Sequence, residues 1–310
     1  MNRCATPAIQ PEWGRVRYRY YARYPSRLKP LRRAPERTLH GFVEIDMSRM
    51  PTVFLSHGSP MHAIEPGDAG PAWYALARQL PQPEAILIAS AHWEADMPEL
   101  TSSRAPETIY DFYGFPEELY AIRYPAPGAP ELAARAQHLL NAAGYPATLN
   151  PRRGLDHGAW VPLRYTYPNA DIPVTQISIQ TKHGTRHHYG IGEALAPLMS
   201  DGILIIGSGH ATHNLGDFQA HRTDSSSQEE PYAREFQRWL YRQLTAQDDA
   251  SILDYVRLAP HAARAHPTPE HFLPLLIPLG AAGRTRRTRR VFDGMANGVL
   301  AMDAYVFEAI

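Results

Sequence analysis

Apolar residues in this chain fall into two kinds of run. Residues 52–55, 85–89, 174–179 and 203–206 are short, mostly apolar stretches rich in Val, Ile and Leu. Each is closed by turn-forming residues, the pattern of strands buried on both faces. A shorter strand is predicted at 147–149. Between these runs the apolar positions recur every three or four residues, which predicts helices over 71–80, 130–144, 187–200, 231–246 and 271–281. The second has Leu132, Ala136, Leu139 and Leu140 on one face and Gly144 as its stop. Residues 106–128 follow neither period. Their Tyr, Pro and Gly predict a long loop of the kind that carries function. Strands alternating with helices predict an α/β fold: a single domain with a mostly parallel central sheet flanked by helices. In such sheets ligands bind outside the carboxyl ends of the strands.

Two segments depart from this pattern. Residues 1–46 hold ten Lys or Arg against four acids, with Tyr18, Tyr20, Tyr21 and Tyr24 and no apolar period. They predict a basic N-terminal extension, disordered or non-native, occupying residues 1–49, with the catalytic domain covering 50–310. A nucleic-acid-binding arm or a transit peptide is the functional alternative. Arg284–Arg290, five Arg in seven residues, predicts a solvated loop.

Composition narrows the function. Lys plus Arg and Asp plus Glu both number 31, so no overall charge draws the chain to nucleic acid or membrane. No apolar run approaches the ~20 residues of a membrane helix. A lone cysteine, Cys4, excludes a disulfide framework and a cysteine-rich zinc module, and fits a cytoplasmic protein. Neither nucleic acid nor membrane is expected as a partner; a monomer or small homo-oligomer is.

Histidine changes the picture. The chain has 15, against 9 Phe and 5 Trp. His57, His92 and the pair His210/His213 stand at or just beyond the carboxyl ends of predicted strands, on one rim of the sheet. Neutral imidazole suits Fe(II), Zn(II) and Cu. His57 lies in Ser56-His57-Gly58-Ser59-Pro60, where small residues leave room for a metal and a substrate and Gly58 permits a sharp turn. His92 lies in Ser90-Ala91-His92-Trp93, where Trp93 can wall the site. Candidates for a third ligand are His271, Glu270 and His213. Thr268 is expected to cap a helix with Pro269 in its first turn, which would set His271 at a helix N-terminus and keep its imidazole neutral. His157, in Asp156-His157-Gly158, reads as a loop histidine able to bond a substrate hydroxyl. His40, His62, His138, His183, His187, His188, His221, His261 and His266 are assigned no role.

Taken in order, Ser56–Pro60, Ser90–Trp93, Asp156–Gly158, Ser208-Gly209-His210-Ala211-Thr212-His213-Asn214-Leu215 and Thr268–His271 resemble the class III extradiol ring-cleavage dioxygenases. So do Pro106–Phe112, Gly114–Pro116 and Tyr124–Gly128. The likeness covers roughly residues 50–310 and is greatest to the branch that holds the 4,5-DOPA extradiol dioxygenases. It implies an enzyme that opens a catechol-type ring with O2 to a semialdehyde. Fe(II) would be the working metal and Zn(II) a possible occupant. It implies His57, His92 and His271 as metal ligands, His213 as acid/base and possible additional ligand, His157 as the second pocket histidine, and Ser59 and Trp93 as substrate-binding. Glu270 adjoins His271 and is the alternative ligand; His210 is an extra histidine that the pattern does not demand. A zinc hydrolase on the same ligands and a non-catalytic Memo-like binding protein are the rival readings. A dinucleotide-binding dehydrogenase lacks its Gly-x-Gly-x-x-Gly signal.

Overall fold

The computed structural model describes residues 49–221 and 228–310, all within one compact unit. The extension predicted for residues 1–49 lies outside the described residues except for Arg49. Strands β1 (Thr52–Ser56), β2 (Ala85–Glu94), β3 (Glu99–Thr101), β4 (Thr148–Asn150), β5 (Val174–Ile179), β6 (Ile203–Gly209) and β7 (Arg286–Phe292) join one sheet. A small ladder, β8 (Met295–Ala296) with β9 (Leu300–Ala301), precedes its last strand, β10 (Ala304–Ala309). The sheet order is β4-β3-β5-β2-β6-β1-β10-β7. The central strands β5, β2, β6 and β1 are mutually parallel. β10 pairs antiparallel with both β1 and β7, and β3 antiparallel with β5. The predicted α/β domain with a mostly parallel sheet is what forms.

Alternation along the strands sorts side chains to the two faces. Val53 and Leu55 of β1, Ile86 and Ile88 of β2, and Leu204 and Ile206 of β6 share a core with Trp73 and Trp160, from helices Ala69–Ala77 and His157–Thr166. Leu87, Ala89, Ile203 and Ile205 pack on the other face against helices Pro130–Ala142, Gly184–Leu195 and Leu276–Ala282. Continued past the apolar run, the same alternation brings His57, His92 and His210 out on the first face, where helix His157–Thr166 begins.

Gly207 and Gly209 do the opposite job on the second face. A Cβ at Gly207 would lie 2.1 Å from the Pro274 carbonyl oxygen, and one at Gly209 would lie 2.1 Å from that of His271. The missing side chains let segment 271–278 lie directly on β6, where the His210 N–H donates to the His271 carbonyl at 2.8 Å.

Four local expectations are corrected. Arg284–Arg290 is not a solvated loop: Arg286 onward is strand β7, and Arg286 is fully buried, its guanidinium bonded to Asp249 and the Gly283 carbonyl. Alternation hides one arginine inside while its neighbours Arg287 and Arg289 face outward. His157 is not in a loop but opens helix His157–Thr166, whose N-cap is Asp156; the internal Pro162 masks the helical period. Thr268 caps no helix. Its hydroxyl bonds Glu270 at 2.8 Å, and regular helix starts only at Leu276, after a 3-10 turn at Leu273–Leu275. β2 runs on to Glu94, so His92 lies within a strand. No helix among the described residues is long and apolar enough to cross a membrane.

Gly207→Ala drives a methyl into backbone that cannot step aside. It should lower unfolding free energy by about 3 kcal/mol or more, at the upper end of overpacking costs. Chemical denaturation measures this, and an unchanged midpoint would show that the close approach is not obligatory.

Candidate metal centre

Three strands, one helix start and one turn each deliver imidazoles to a single cluster. His57 follows β1, where Gly58 turns the chain at φ +74°. His92 comes from β2, His210 from the end of β6, His157 from the first turn of its helix, and His271 from the turn laid on β6. His213 is held by its N–H bond to the Ala265 carbonyl at 2.8 Å. The ring centroids of His57, His92 and His271 are 5.0, 5.5 and 4.9 Å apart. His157 lies 4.0 Å from His92 and 5.5 Å from His57. His213 stacks on His271 at 3.5 Å and 11°, and His210 sits 4.8 Å from His57. Every histidine expected at the site is therefore in it, together with His210. Gly158 makes room: a Cβ there would meet Ser90 Oγ at 2.4 Å and the His92 ring at 3.0 Å.

The hydrogen bonds decide which nitrogen of each ring faces inward. Ser208 Oγ donates its one hydrogen to the Gly158 carbonyl, so toward His57 Nδ1, at 3.0 Å, it is an acceptor. His57 therefore carries its proton on Nδ1 and a bare lone pair on Nε2. His271 Nδ1 lies 3.0 Å from Glu270 Oε1, and His157 Nδ1 lies 2.8 Å from Asp111 Oδ2. The same Asp111 oxygen is 3.5 Å from His92 Nδ1. A carboxylate accepts only, so Nδ1 of His271 and of His157 bears hydrogen and their Nε2 atoms are free, while His92 Nδ1 is only near Asp111 and not hydrogen-bonded to it. His57 Nε2, left bare by Ser208, stands 3.1 Å from His92 Nε2. Nitrogens sharing one ion at ~2.1 Å are held roughly 3 Å apart, so the residues present fit a metal.

Electrostatics point the same way. Burial, then the neighbouring imidazoles, holds His57, His210 and His271 far below the ordinary histidine value. His92 is likewise lowered by burial and His157, against the pull of Asp111. Burial, with His157 beside it, brings His213 down to about 4. All five are neutral at physiological pH, as ligands and bases must be. For His271 the cause is burial, not the helix terminus expected from sequence. Burial works against the Asp111 carboxylate, but the side-chain and backbone hydrogen bonds from His157, with the His157 and His92 imidazoles close by, outweigh it and hold its pKa at about 2.

Donor atoms of His57, His92 and His157 all lie within 4.8 Å of one another, as do those of His213, Glu270 and His271. Two sets thus compete for the third position. Imidazoles bound through one nitrogen each to a common ion keep their centroids roughly 4.6–5.3 Å apart. The spacings within His57, His92 and His271 stay close to that window; His92 to His157, at 4.0 Å, is too short. Glu270 is engaged by His271 and Thr268.

Ser59 bonds His62 through its N–H at 3.0 Å. Trp93, next to His92, is buried beneath the Arg153 guanidinium, 5.1 Å away, and Arg153 donates to the His92 carbonyl and to Asp156. The aromatic face in front belongs to the loop, where Phe112 meets His157 edge-on at 5.7 Å and packs with Phe115, Tyr120 and Trp160. Sequence reading passed over Asp111 and Ser208. The first had a signal, a lone acid between Tyr110 and Phe112 in an aromatic loop; the second, a serine among glycines, had none.

Ser208→Ala releases His57 Nδ1 and should weaken metal binding about 10–100-fold, as loss of a hydrogen bond behind a ligand does. Chelator competition measures it. Wild-type affinity in S208A would show that the serine does not hold this tautomer.

Residues 50–300 match the family model described as the catalytic LigB subunit of aromatic ring-opening dioxygenase. A 4,5-DOPA dioxygenase extradiol from Beta vulgaris is 43% identical over 260 residues, covering 83% of this chain and 96% of its own length. One from Escherichia coli K12 is 40% identical over 258 residues, covering 82% and 93%. The crystal structure of an uncharacterized Escherichia coli K12 protein superposes with a TM-score of 0.71 at 35% identity, covering 83% of this chain and 99% of that one. With that extent of likeness and a histidine cluster suited to a metal, the chain belongs to the LigB family of aromatic ring-opening dioxygenases, as a metal-dependent enzyme of extradiol ring cleavage.

Proposed function

We propose that this enzyme cleaves a catechol bearing a DOPA-like side chain, with His57, His92 and His271 holding Fe(II), His213 as acid/base and His157 as the second pocket histidine. The observation that carries the reading is the gathering of His57, His92, His157 and His271 in one cluster, three of them with Nε2 left bare by an acceptor on Nδ1. The relatives from Beta vulgaris and Escherichia coli are named for 4,5-DOPA, which supports that substrate class. Zn(II) suits the same nitrogens and can occupy the site without supporting oxygen chemistry. The catalytic unit is residues 50–310, and the single Cys4 is compatible with a reducing cytoplasm that keeps iron ferrous.

When bound, Fe(II) supplies Lewis acidity toward the two ring oxygens and a path for electrons from ring to dioxygen. The protein's own groups do the rest. His213, neutral because it is buried, takes a proton from a ring hydroxyl and later returns it as the O–O bond breaks. Its stacking on His271 sets it against the centre at a fixed angle. His157, with Nδ1 tied to Asp111, offers Nε2 as acceptor to the second hydroxyl. Phe112, Phe115 and Tyr120 cover the ring face and keep water out, and Ser59 meets the side chain at the mouth. One O2 enters per ring, both atoms appear in product, and the bond beside a hydroxyl-bearing carbon opens to a semialdehyde.

Anaerobic loading with Fe(II), followed by oxygen uptake and absorbance with DOPA, catechol and protocatechuate, tests this. The expected result is one O2 consumed per ring and a yellow product, with DOPA preferred. His213→Ala should lose roughly 10²–10⁴-fold in kcat with little change in KM. A zinc hydrolase would consume no oxygen, and unimpaired turnover by H213A would remove the acid/base assignment.

A further inference from the structure

The Nδ1 acceptors behind the histidines come from two kinds of place. Ser208, behind His57, is on β6, and Glu270, behind His271, is its chain neighbour. Both are part of the permanent scaffold. His92 and His157 instead depend on Asp111, which stands in the aromatic loop. That loop is tied to the scaffold by Ile109 N–H to the Leu155 carbonyl at 2.8 Å, Leu155 N–H to the Glu107 carbonyl at 2.8 Å, the Trp160 indole N–H to the Ile109 carbonyl at 2.9 Å and the Tyr124 hydroxyl to the Tyr167 carbonyl at 2.9 Å.

Asp111 is used on both oxygens. Oδ1 accepts the backbone N–H of His157 at 2.9 Å, and Oδ2 accepts His157 Nδ1–H at 2.8 Å while lying 3.5 Å from His92 Nδ1. We infer that Asp111 is a positioning residue for ring cleavage: one carboxylate on the aromatic loop sets the tautomers of His92 and His157, so that seating the loop and turning both Nε2 lone pairs to the centre are a single event. The inference rests on the reading of these histidines given above. Its consequence is that the loop that sets Phe112 edge-on to His157 also fixes the proton of that histidine.

Only a carboxylate fills this position, because both of its oxygens accept. With an amide the backbone N–H of His157 must still face oxygen, since it cannot become an acceptor. The amide NH2 is then left pointing at His157 Nδ1 and His92 Nδ1. His157 can satisfy it only by moving its proton to Nε2, which converts the acceptor facing the pocket into a donor. The substitution exchanges one oxygen for an amide nitrogen at nearly constant volume, so packing of the loop is left as it was.

Asp111→Asn is therefore the test, read first in metal-free protein by ¹⁵N NMR of the histidine side chains. Wild type should show Nδ1–H on His157 and His92, and D111N should show Nε2–H on His157. Chelator competition should find D111N binding metal about 10–100-fold more weakly, with the thermal midpoint near that of wild type. In loaded enzyme kcat should fall roughly 10²-fold or more while KM changes little. Asp111→Glu, which keeps the charge but reaches past both rings, should recover only part of the loss. Unchanged tautomers and unchanged affinity in D111N overturn the proposal. Should D111N not fold, the wild-type spectrum decides by itself, and Nε2–H on either ring overturns it. The tautomer needs neither metal nor substrate, so it stands or falls apart from the oxygen-uptake and H213A results.

Discussion

The centre depends on what lies behind each imidazole. A histidine ring has one proton to share between two nitrogens, and the nitrogen that keeps it cannot bind a metal. Here Ser208, Glu270 and Asp111 claim Nδ1 of His57, His271 and His157, and Asp111 lies beside Nδ1 of His92. The Nε2 atoms of His57, His157 and His271 are left bare, and burial keeps His57, His92 and His271 from taking up a proton. Remove the acceptors and the same rings could satisfy each other by donating and accepting in pairs.

The sheet makes this possible because its period is two. Val53, Leu55 and His57, then Ile88, Ser90 and His92, then Ile206, Ser208 and His210 lie on one face of three neighbouring parallel strands. What is hydrophobic core at the middle of the sheet becomes serine and then histidine at its carboxyl edge. The change from apolar to chemical side chains is a gradient along one face. Ser90 ties Asp156, the N-cap of the helix that begins with His157. Core, helix start and site are therefore one continuous packing problem. On the reverse face Gly207 and Gly209 let the His271 turn approach β6, the strand that also carries Ser208.

The aromatic loop adds the remaining element. Phe112 lies edge-on to His157, and Asp111, one residue before it, holds that same histidine. Adjacent residues thus serve one imidazole, an apolar ring against its edge and an acceptor for its proton.

From sequence alone, alternating apolar runs defined the α/β class and the parallel centre, and strand ends marked His57, His92 and the His210/His213 pair. Those signals are local: a buried strand must be apolar, and a turn after it must hold small or polar residues. Motif order then tied His157 and His271 to the same chemistry. The structure alone decided the rest. Whether Thr268 capped a helix or bonded Glu270 depended on where segment 271–278 could lie on β6, which Pro274 and two glycines settled. Whether Arg286 was solvent-facing or buried depended on Asp249, 37 residues away in the chain. Asp111 acquires a meaning only beside His157, 46 residues on. Tautomers are the extreme case, because the location of one proton follows from partners that folding alone assembles.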